Sequence, residues 1–229
     1  MLGILRRGAQ RVTLAIFDLD NTLIGGDSDH LWSQFLVEEN IVKDADFAER
    51  GSRFHAQYAR GELDINAYLH YALGPLAGQP MEVLAEWHRH FMRTRIAPIM
   101  LPKAGELLEH HRAQGHVLLI ITATNHFITR PIADALGVEH LLACEAEIVD
   151  GLYTGEPCGV PTFQAGKVTR LREWLAPREL NLDGAWFYSD SHNDLPLLEL
   201  VDHPVAVDPD ERLQARAETL GWPIISLRG

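Results

Sequence analysis

Three continuous runs of mostly apolar residues mark the predicted inner strands of a sheet. Residues 12–17 form the first run, and residues 117–121 and 185–188 form the other two. A strand that is buried on one face alternates apolar and polar residues, and these runs do not alternate. Continuous apolar runs are typical of parallel strands that are covered on both faces. The pattern therefore predicts a parallel sheet at the centre of the fold.

Residues 26–97 have a different pattern, because their apolar positions recur at helical spacing and no strand pattern interrupts them. A loop of this length is uncommon in a compact domain. Four helices are predicted there, and their expected boundary residues are Asp27 or Ser28, Gly61, Asp64, Gly74 and Pro80. We therefore predict a helical cap over residues 26–97, inserted into a core formed by residues 1–25 and 98–229.

Strands and helices alternate after residue 98. Two more strands are predicted at residues 205–207 and 223–226, and Asp150-Gly151 predicts the turn of a hairpin over residues 144–155. The predicted helices include residues 103–114, 125–136 and 167–175. This alternation is typical of an α/β fold in which a Rossmann-like parallel sheet carries helices on both faces.

Polar residues follow each of the three apolar runs within a few positions. They are Asp18 and Asp20 after the first run, Thr122 after the second, and Asp190 and Asp194 after the third. In an open parallel sheet the carboxyl ends of the strands meet at one edge, where ligands bind. Two carboxylates about 4 Å apart repel each other by roughly 4 kcal/mol at an effective dielectric constant near 20. The cluster therefore requires a cation, and its oxygen ligands favour Mg²⁺, which also suits a phosphate substrate.

Thr122 and Lys167 are candidate phosphate ligands. The backbone N–H groups after Thr122 are predicted to lie at a helix N-terminus, where phosphate oxygens bind well. Lys167 begins a predicted helix and offers a positive charge to the same phosphate. Taken singly, Thr122, Lys167 and Asp194 also fit structural roles, as a strand-end hydroxyl, a solvated helix residue and a helix cap. Only their joint placement favours a phosphate site.

Composition and charge restrict the partners of the chain. The 229 residues carry a formal net charge of −12, which argues against nucleic acid or an anionic membrane as a partner. Cys144 and Cys158 are too few for a disulfide framework, and no apolar run is long enough for a membrane span. No pattern typical of a signal peptide follows Arg6 and Arg7. These features predict a cytoplasmic protein and leave its oligomeric state open.

Four motifs together resemble a known family. They are Asp18-Leu19-Asp20-Asn21-Thr22, Leu119-Ile120-Ile121-Thr122, Gly166-Lys167 and Asp190-Ser191-His192-Asn193-Asp194, in this order. Their residue types, order and placement resemble the phosphatases of the haloacid dehalogenase (HAD) superfamily. The helical insertion after the first motif is similar to that of the phosphoserine-phosphatase-like branch, subfamily IB. The resemblance extends from about residue 12 to residue 226 and implies an α/β core with a helical cap.

The resemblance implies that a small phosphorylated metabolite is hydrolysed through an aspartyl-phosphate intermediate with the help of Mg²⁺. Asp18 would be the nucleophile, and Asp20 would be the general acid and then the general base. The implied metal ligands are Asp18, the backbone carbonyl of Asp20, Asp190, and Asp194, which ligates the ion or lies just behind it. The implied phosphate-binding residues are Thr122, Lys167 and Asn193, of which Asn193 contacts the phosphate or holds its loop.

The cap is expected to decide which phosphomonoester is hydrolysed. In phosphoserine phosphatases an acidic residue after the first motif meets the substrate amine, and Asp27 occupies that place here. A cap arginine of those enzymes holds the substrate carboxylate, whereas this sequence has His70 at the corresponding place. Neutral histidine is a poor substitute for a bidentate guanidinium. The resemblance therefore implies phosphoserine or histidinol phosphate, and the missing arginine favours the amino-alcohol phosphate.

Three alternatives share parts of this pattern. A phosphomutase or other phosphotransferase would use the same nucleophile but retain the phosphoryl group. A haloacid dehalogenase would need neither Asp20 nor a metal, so the acids of this chain argue against it. A receiver-like signalling domain also combines acids, a threonine and a lysine. Its phosphorylated aspartate follows a later strand, however, and no long helical insertion follows it.

Histidine and aromatic residues outside the motifs are predicted to be structural. His88, His90, His110 and His111 lie in helical patterns and are predicted to face solvent. Trp32, Trp87 and Phe91 are predicted to pack inside the cap. His192 lies inside the fourth motif, where we predict a role in the loop rather than as a ligand.

Overall fold

A seven-stranded sheet forms the centre of the fold. The computed structural model describes residues 12–44 and 46–229, and the sheet has the order β4-β3-β2-β1-β5-β6-β7. The strands are β1 (Leu14–Phe17), β2 (Val117–Asn125), β3 (His140–Val149), β4 (Leu152–Cys158), β5 (Trp186–Ser189), β6 (His203–Val207) and β7 (Ile224–Ile225). All neighbours are parallel except β3 and β4, which are antiparallel. The predicted α/β class is confirmed.

Nine α-helices lie within the described residues. They are α1 (Ser28–Glu38), α2 (Phe47–Arg60), α3 (Ile65–Leu73), α4 (Met81–Phe91), α5 (Pro102–Ala113), α6 (His126–Ala135), α7 (Ala165–Leu175), α8 (Leu195–Leu198) and α9 (Glu211–Leu220). Shorter 3-10 or π turns extend several of them, including the π turn Met92–Ile96 after α4. None of the described helices is both long enough and apolar enough to cross a lipid bilayer.

Both faces of strand β1 are buried, as its continuous apolar sequence predicts. Leu14 and Ile16 belong to the apolar cluster on one face of the sheet, together with residues of α7, α8 and α9. Ala15 and Phe17 belong to the cluster on the other face, together with residues of α5, α6 and the inserted helices. Because side chains alternate in direction along a strand, each face of the sheet carries its own core.

The hairpin of β3 and β4 turns at Asp150-Gly151. Both residues have a positive φ, 52° and 80°, which is the conformation that a two-residue type I′ turn requires. The predicted turn is confirmed. Strand β3 begins at His140, earlier than predicted, because its first residues pair in parallel with β2 before the chain reaches the hairpin.

Helices α1 to α4 form the predicted insertion. Asp27 caps α1 by accepting hydrogen bonds from two backbone N–H groups of its first turn, and Asp64 caps α3 in the same way. The chain leaves and re-enters the core through two adjacent linkers, where the Gly25 N–H donates to the Ile99 carbonyl at 2.7 Å. We propose from this double crossing that residues 26–97 form a cap on a core of residues 1–25 and 98–229. Residues 1–11 of that core lie outside the described residues.

Two histidines that were predicted to face solvent are buried, so this prediction is wrong for them. His88 donates from Nε2 to the Ile128 carbonyl at 3.1 Å. His111 contacts the Tyr188 hydroxyl at 2.8 Å and His116 at 2.8 Å. Burial lowers the pKa of His88, and burial with two neighbouring histidines lowers the pKa of His111 to about 4. Helical spacing alone does not show that a polar ring has a partner inside the core.

Candidate active site

Asp18 and Asp190 lie side by side at the carboxyl edge of the sheet. Asp18 directly follows β1, and its backbone N–H donates to the Tyr188 carbonyl of β5 at 2.9 Å. Asp190 directly follows β5, and the Thr22 hydroxyl donates to its Oδ1 at 3.2 Å. The parallel pairing of β1 and β5 thus brings together two carboxylates that are 172 positions apart in the sequence. The carboxyl ends of β1 and β5 are therefore adjacent, as predicted.

Lys167 links two buried carboxylates at this edge. Its Nζ lies 2.8 Å from Asp18 Oδ1 and 2.7 Å from Asp194 Oδ1, and the side chain is 1% exposed. The ammonium also lies over the Phe187 ring, 5.9 Å from its centroid. The two carboxylates raise the pKa of Lys167 although burial opposes this, so the side chain is a charged ammonium. The alternative of a solvated helix residue is excluded by this burial.

Asp20 lies in a network of hydroxyl and backbone donors. Its Oδ1 accepts a hydrogen bond from the Ser28 N–H at 2.7 Å, and its Oδ2 accepts from the Thr124 hydroxyl at 2.8 Å. Thr122 donates to the same Oδ2 at 3.5 Å. Burial and the charge of Asp27 raise the pKa of Asp20 to about 6, whereas the Ser28 and Thr124 donors lower it. A carboxyl group with such a pKa exchanges its proton near neutral pH.

Thr122 does not lie at a helix N-terminus, so that part of the prediction is wrong. Strand β2 continues through Thr122 to Asn125, and α6 begins only at His126. The pairing of β2 with β3 shifts register between Ile121 and Asn125. No apolar pattern marks this extension, because the residues Thr122 to Asn125 are mostly polar. Thr122 nevertheless faces the same cavity as the acids.

A cavity of about 60 Å³ lies between the sheet edge and the inserted helices. The core supplies Asp18, Asp20, Asn21, Thr122, Ala123, Thr124 and Asp190 to its wall. The inserted segment supplies Asp27, Asp29, His30, Ser33, Gly51, Phe54, His55, Tyr58, Leu63, Ile65 and Tyr68. The candidate reactive carboxylates and the inserted helices therefore line one cavity.

Three residues of the fourth motif lie behind this cavity rather than in its wall. Asp194 accepts hydrogen bonds from Lys167 and, at 2.7 Å, from the Ser189 hydroxyl. Asn193 donates from Nδ2 to the Tyr58 carbonyl of α2 at 3.1 Å. His192 lies 2.7 Å from Asp210, the residue that caps α9, so its imidazole connects the loop of the fourth motif to the start of that helix. The structure thus does not bring Asp194 or Asn193 into the cavity.

The C-terminal end of α2 rests on the fourth motif. Besides the bond from Asn193, the Arg212 guanidinium donates to the Arg60 carbonyl at 2.9 Å. Gly61 ends the helix with φ 74°, and a Cβ at this position would lie 2.9 Å from His192 Nε2. The insertion is therefore packed onto the core at the rim of the cavity, and glycine is required at the closest approach.

The two predicted specificity residues lie in different places. Asp27 lines the cavity, but its oxygens are occupied by the first turn of α1 and by His55, whose Nδ1 lies 3.2 Å from Oδ2. These donors lower the pKa of Asp27 although burial opposes them. His70 is exposed and pairs with Glu156 at 3.0 Å. His70 does not line the cavity, so the prediction that it is a specificity residue is wrong.

The carboxylates at the sheet edge carry more negative charge than Lys167 balances. Burial raises the pKa of Asp18 to about 7, with a smaller contribution from Asp194, although Lys167 lowers it. Burial and the charges of Asp18 and Asp194 raise the pKa of Asp190 well above its ordinary range. A bound cation would relieve this repulsion. The donor set is made of hard oxygen atoms, which fits Mg²⁺.

No three acidic, histidine or cysteine side chains of the described residues form a ready metal cluster. Mg²⁺ is commonly held by only one or two protein carboxylates together with substrate phosphate oxygens. Asp18 and Asp190, which both line the cavity, satisfy that requirement. The residues present therefore fit a magnesium site that is completed by backbone and substrate oxygens.

Gly166 sets the position of Lys167, and its replacement is expected to destabilise the protein. A Cβ on Gly166 would lie 2.0 Å from the Pro161 carbonyl oxygen, so Gly166→Ala forces α7 away from the preceding loop. We expect a loss of about 1–3 kcal/mol in the free energy of unfolding, measured by urea denaturation. Gly105 lies in α5 with open space around its Cα, and Gly105→Ala is expected to be neutral or to stabilise by about 0.5–1 kcal/mol. Equal stability of both variants would contradict the close packing at α7.

Comparisons with known proteins agree with this geometry. A family model described as haloacid dehalogenase-like hydrolase matches residues 15–199. A histidinol-phosphatase of Neisseria meningitidis serogroup C (strain 8013) is 44% identical over 219 residues, which cover 94% of this chain and 99% of that protein. A crystal structure of a protein of unknown function from Bordetella pertussis Tohama I has 42% identity and a TM-score of 0.89, and the match covers 95% of this chain and all of that chain.

A phosphoserine phosphatase, solved as a phospho-aspartyl intermediate analogue, shares the fold. It is 18% identical, with a TM-score of 0.68 over 96% of this chain and 95% of that chain. The family match covers most of the chain, and the relative from Neisseria matches almost end to end. The chain therefore belongs to the haloacid dehalogenase-like hydrolase family and is a phosphatase.

Proposed function

We propose that this phosphatase is Mg²⁺-dependent and forms an aspartyl-phosphate on Asp18. The observation that carries the proposal is the environment of Asp18, which lines the cavity while Lys167 donates to its Oδ1. A positive charge at this place favours attack by the carboxylate on an anionic phosphate ester. Asp20 lines the same cavity and has a pKa suited to proton exchange near neutral pH. Asp18 is thus the proposed nucleophile, and Asp20 is the proposed general acid and base.

The reaction has two balanced steps. In the first, a carboxylate oxygen of Asp18 attacks phosphorus, the bond from phosphorus to the substrate alcohol oxygen breaks, and Asp20 protonates the leaving oxygen. In the second, Asp20, now a carboxylate, takes a proton from a water molecule whose oxygen attacks phosphorus. The bond from phosphorus to Asp18 breaks, which releases inorganic phosphate and restores Asp18 as a carboxylate and Asp20 as an acid.

The proposed magnesium ligands are the carboxylates of Asp18 and Asp190 and the backbone carbonyl of Asp20. When bound, the ion offsets the negative charge of the phosphoryl group and of the acid cluster. Asp194 accepts hydrogen bonds from Lys167 and Ser189, so we propose that it positions Lys167 and does not bind the ion directly. Thr122 lines the cavity and remains a proposed phosphate-binding residue, whereas Asn193 holds its loop against α2. Lys167 is buried behind the wall on Asp18, so we propose that its charge acts on the phosphoryl group from beside the nucleophile.

We propose histidinol phosphate, an amino-alcohol phosphate, as the substrate in preference to phosphoserine. The relative from Neisseria meningitidis that is named histidinol-phosphatase supports this choice. The cavity wall supports it independently, because it contains no lysine or arginine among its described residues and does contain Asp27 and Asp29. A substrate carboxylate would therefore meet like charges without a guanidinium partner.

A phosphate-release assay tests the proposal. With Mg²⁺ we expect turnover of histidinol phosphate with at least about tenfold higher kcat/KM than phosphoserine, the difference that one unpaired buried charge typically makes. Removal of Mg²⁺ with a chelator is expected to abolish turnover, and added Mg²⁺ to restore it. Phosphate released in large excess over enzyme excludes a phosphomutase or a signalling module. A higher kcat/KM for phosphoserine would overturn the substrate, and unchanged turnover without divalent cations would overturn the metal dependence.

A further inference from the structure

Asp29 is a buried acid in the cavity wall to which neither the motifs nor the proposed reaction assigns a role. It lies in the first turn of α1 and is 6% exposed. Its Oδ1 is fully buried and accepts no hydrogen bond from the described residues. Buried polar atoms in folded proteins nearly always have a partner. Asp29 also belongs to the cavity wall, so its carboxyl group, one oxygen of which lacks a donor, is a candidate contact for a donor group of a ligand.

The neighbouring acid Asp27 cannot take this place without giving up its own bonds. Its carboxylate already accepts hydrogen bonds from the Asp29 and His30 N–H groups and pairs with His55. Burial and the charges of Asp27 and Asp20 raise the pKa of Asp29 to about 8, whereas the Tyr68 hydroxyl lowers it. The surroundings of Asp29 therefore contain too little positive charge, and a cationic ligand would supply it.

Two aromatic side chains of the cavity wall lie on the side of Asp29. The hydroxyl of Tyr68 in α3 lowers the pKa of Asp29, and the ring of Phe54 in α2 lies 5.4 Å from the Tyr68 ring in an edge-to-face arrangement. Burial and nearby acids raise the pKa of Tyr68 well above the ordinary value, so its ring is uncharged. The faces of neutral aromatic rings attract organic cations. Carboxylate and rings together form the kind of wall that binds an ammonium or imidazolium group.

We propose that Asp29 is the specificity-determining residue that receives the cationic group of the substrate, with Phe54 and Tyr68 beside it. This inference rests on the proposed function for the phosphoryl end of the substrate. It assigns the substrate class as phosphomonoesters whose alcohol part carries a protonated amine or imidazole and no carboxylate. The carboxylate pairs with the cation, and Asp27 keeps its roles as cap of α1 and partner of His55.

Two esters of the same size separate charge from shape. Phosphoethanolamine carries an ammonium group where propyl phosphate carries a methyl group. For the wild-type enzyme we expect a KM for phosphoethanolamine that is about 10- to 100-fold lower than that for propyl phosphate, as expected for a buried charge-assisted hydrogen bond. Asp29→Asn is expected to raise the KM for phosphoethanolamine by a similar factor, with kcat changed less than about threefold and with the KM for propyl phosphate unchanged.

Asparagine resembles the protonated form of Asp29 in size, so the variant is expected to fold, which a thermal melt checks. Asp64→Asn is the matched control, because it also lies at the start of an inserted helix but not in the cavity wall, and asparagine caps helices equally well. Its KM values for both esters are expected to equal those of the wild type.

The outcomes distinguish this inference from the proposed function. If the wild-type enzyme hydrolyses neither ester nor histidinol phosphate with Mg²⁺, the proposed function itself fails. If it hydrolyses both esters with equal KM, the cation site is overturned whatever the variants do. If the wild type prefers phosphoethanolamine and Asp29→Asn keeps that preference, another residue receives the cation and the assignment of Asp29 is overturned.

Discussion

Asp18→Asn is expected to lower phosphate release by at least about three orders of magnitude, because an amide cannot act as the nucleophile that forms the aspartyl-phosphate. The substitution changes neither the size of the side chain nor its ability to accept a hydrogen bond from Lys167. In metal-free buffer the thermal midpoint is expected to equal or exceed that of the wild type. Asp18 is buried beside Asp194, and the variant removes one of these two like charges. Loss of activity with retained stability separates the chemical role from a structural one.

The matched control for this variant is Asp150→Asn in the hairpin turn. Asp150 is exposed and has φ 52°, a conformation that asparagine adopts readily, so activity and stability are expected to stay unchanged. Rapid acid quenching during turnover is expected to trap a phosphorylated wild-type chain that mass spectrometry locates at Asp18. Activity of Asp18→Asn within about tenfold of the wild type, or a phosphorylated peptide elsewhere in the chain, would contradict the assignment of the nucleophile.

The parallel sheet and its acidic edge could be predicted because each depends on a local signal. A continuous apolar run indicates burial on both faces, and parallel strands necessarily place their carboxyl ends at one edge. The proximity of Asp18 and Asp190 could therefore be predicted from the sequence. The caps of α1 and α3 could be predicted as well, because Asp27 and Asp64 precede apolar positions at helical spacing.

The cavity wall could not be predicted in the same way. The sequence pattern predicts ordinary apolar positions of amphipathic helices at Phe54, Tyr58 and Tyr68. They line the cavity with the acids only because α2 and α3 pack on the core. Asp29 reads as an acid in a first helical turn, where a negative charge is common. Thr124 was missed because β2 continues through polar residues, which give no strand signal. A cavity wall that forms only where two parts of the chain pack together has no signature in the sequence of either part.

Lys167→Met is expected to lower activity strongly and to lower the free energy of unfolding by about 3–5 kcal/mol, the cost of leaving buried charges without their partner. Lys167 is the ammonium that contacts both Asp18 and Asp194, and methionine fills much of its volume without its charge. Loss of the charge near the phosphoryl group is expected to lower kcat about 100- to 1,000-fold in the fraction that folds. Lys103→Met on the exposed face of α5 serves as the control, with activity expected to be unchanged.

A double variant separates the two effects of losing Lys167. Adding Asp194→Asn to Lys167→Met removes one of the two carboxylates that the lysine held, so the buried net charge returns to that of the wild type. The free energy of unfolding of the double variant is therefore expected to lie above that of Lys167→Met, as measured by urea denaturation. Phosphate release is expected to stay as low as in the single variant, because no positive charge has been restored beside Asp18. Recovery of activity together with stability would show that Lys167 serves the fold alone and would remove it from the proposed phosphate site.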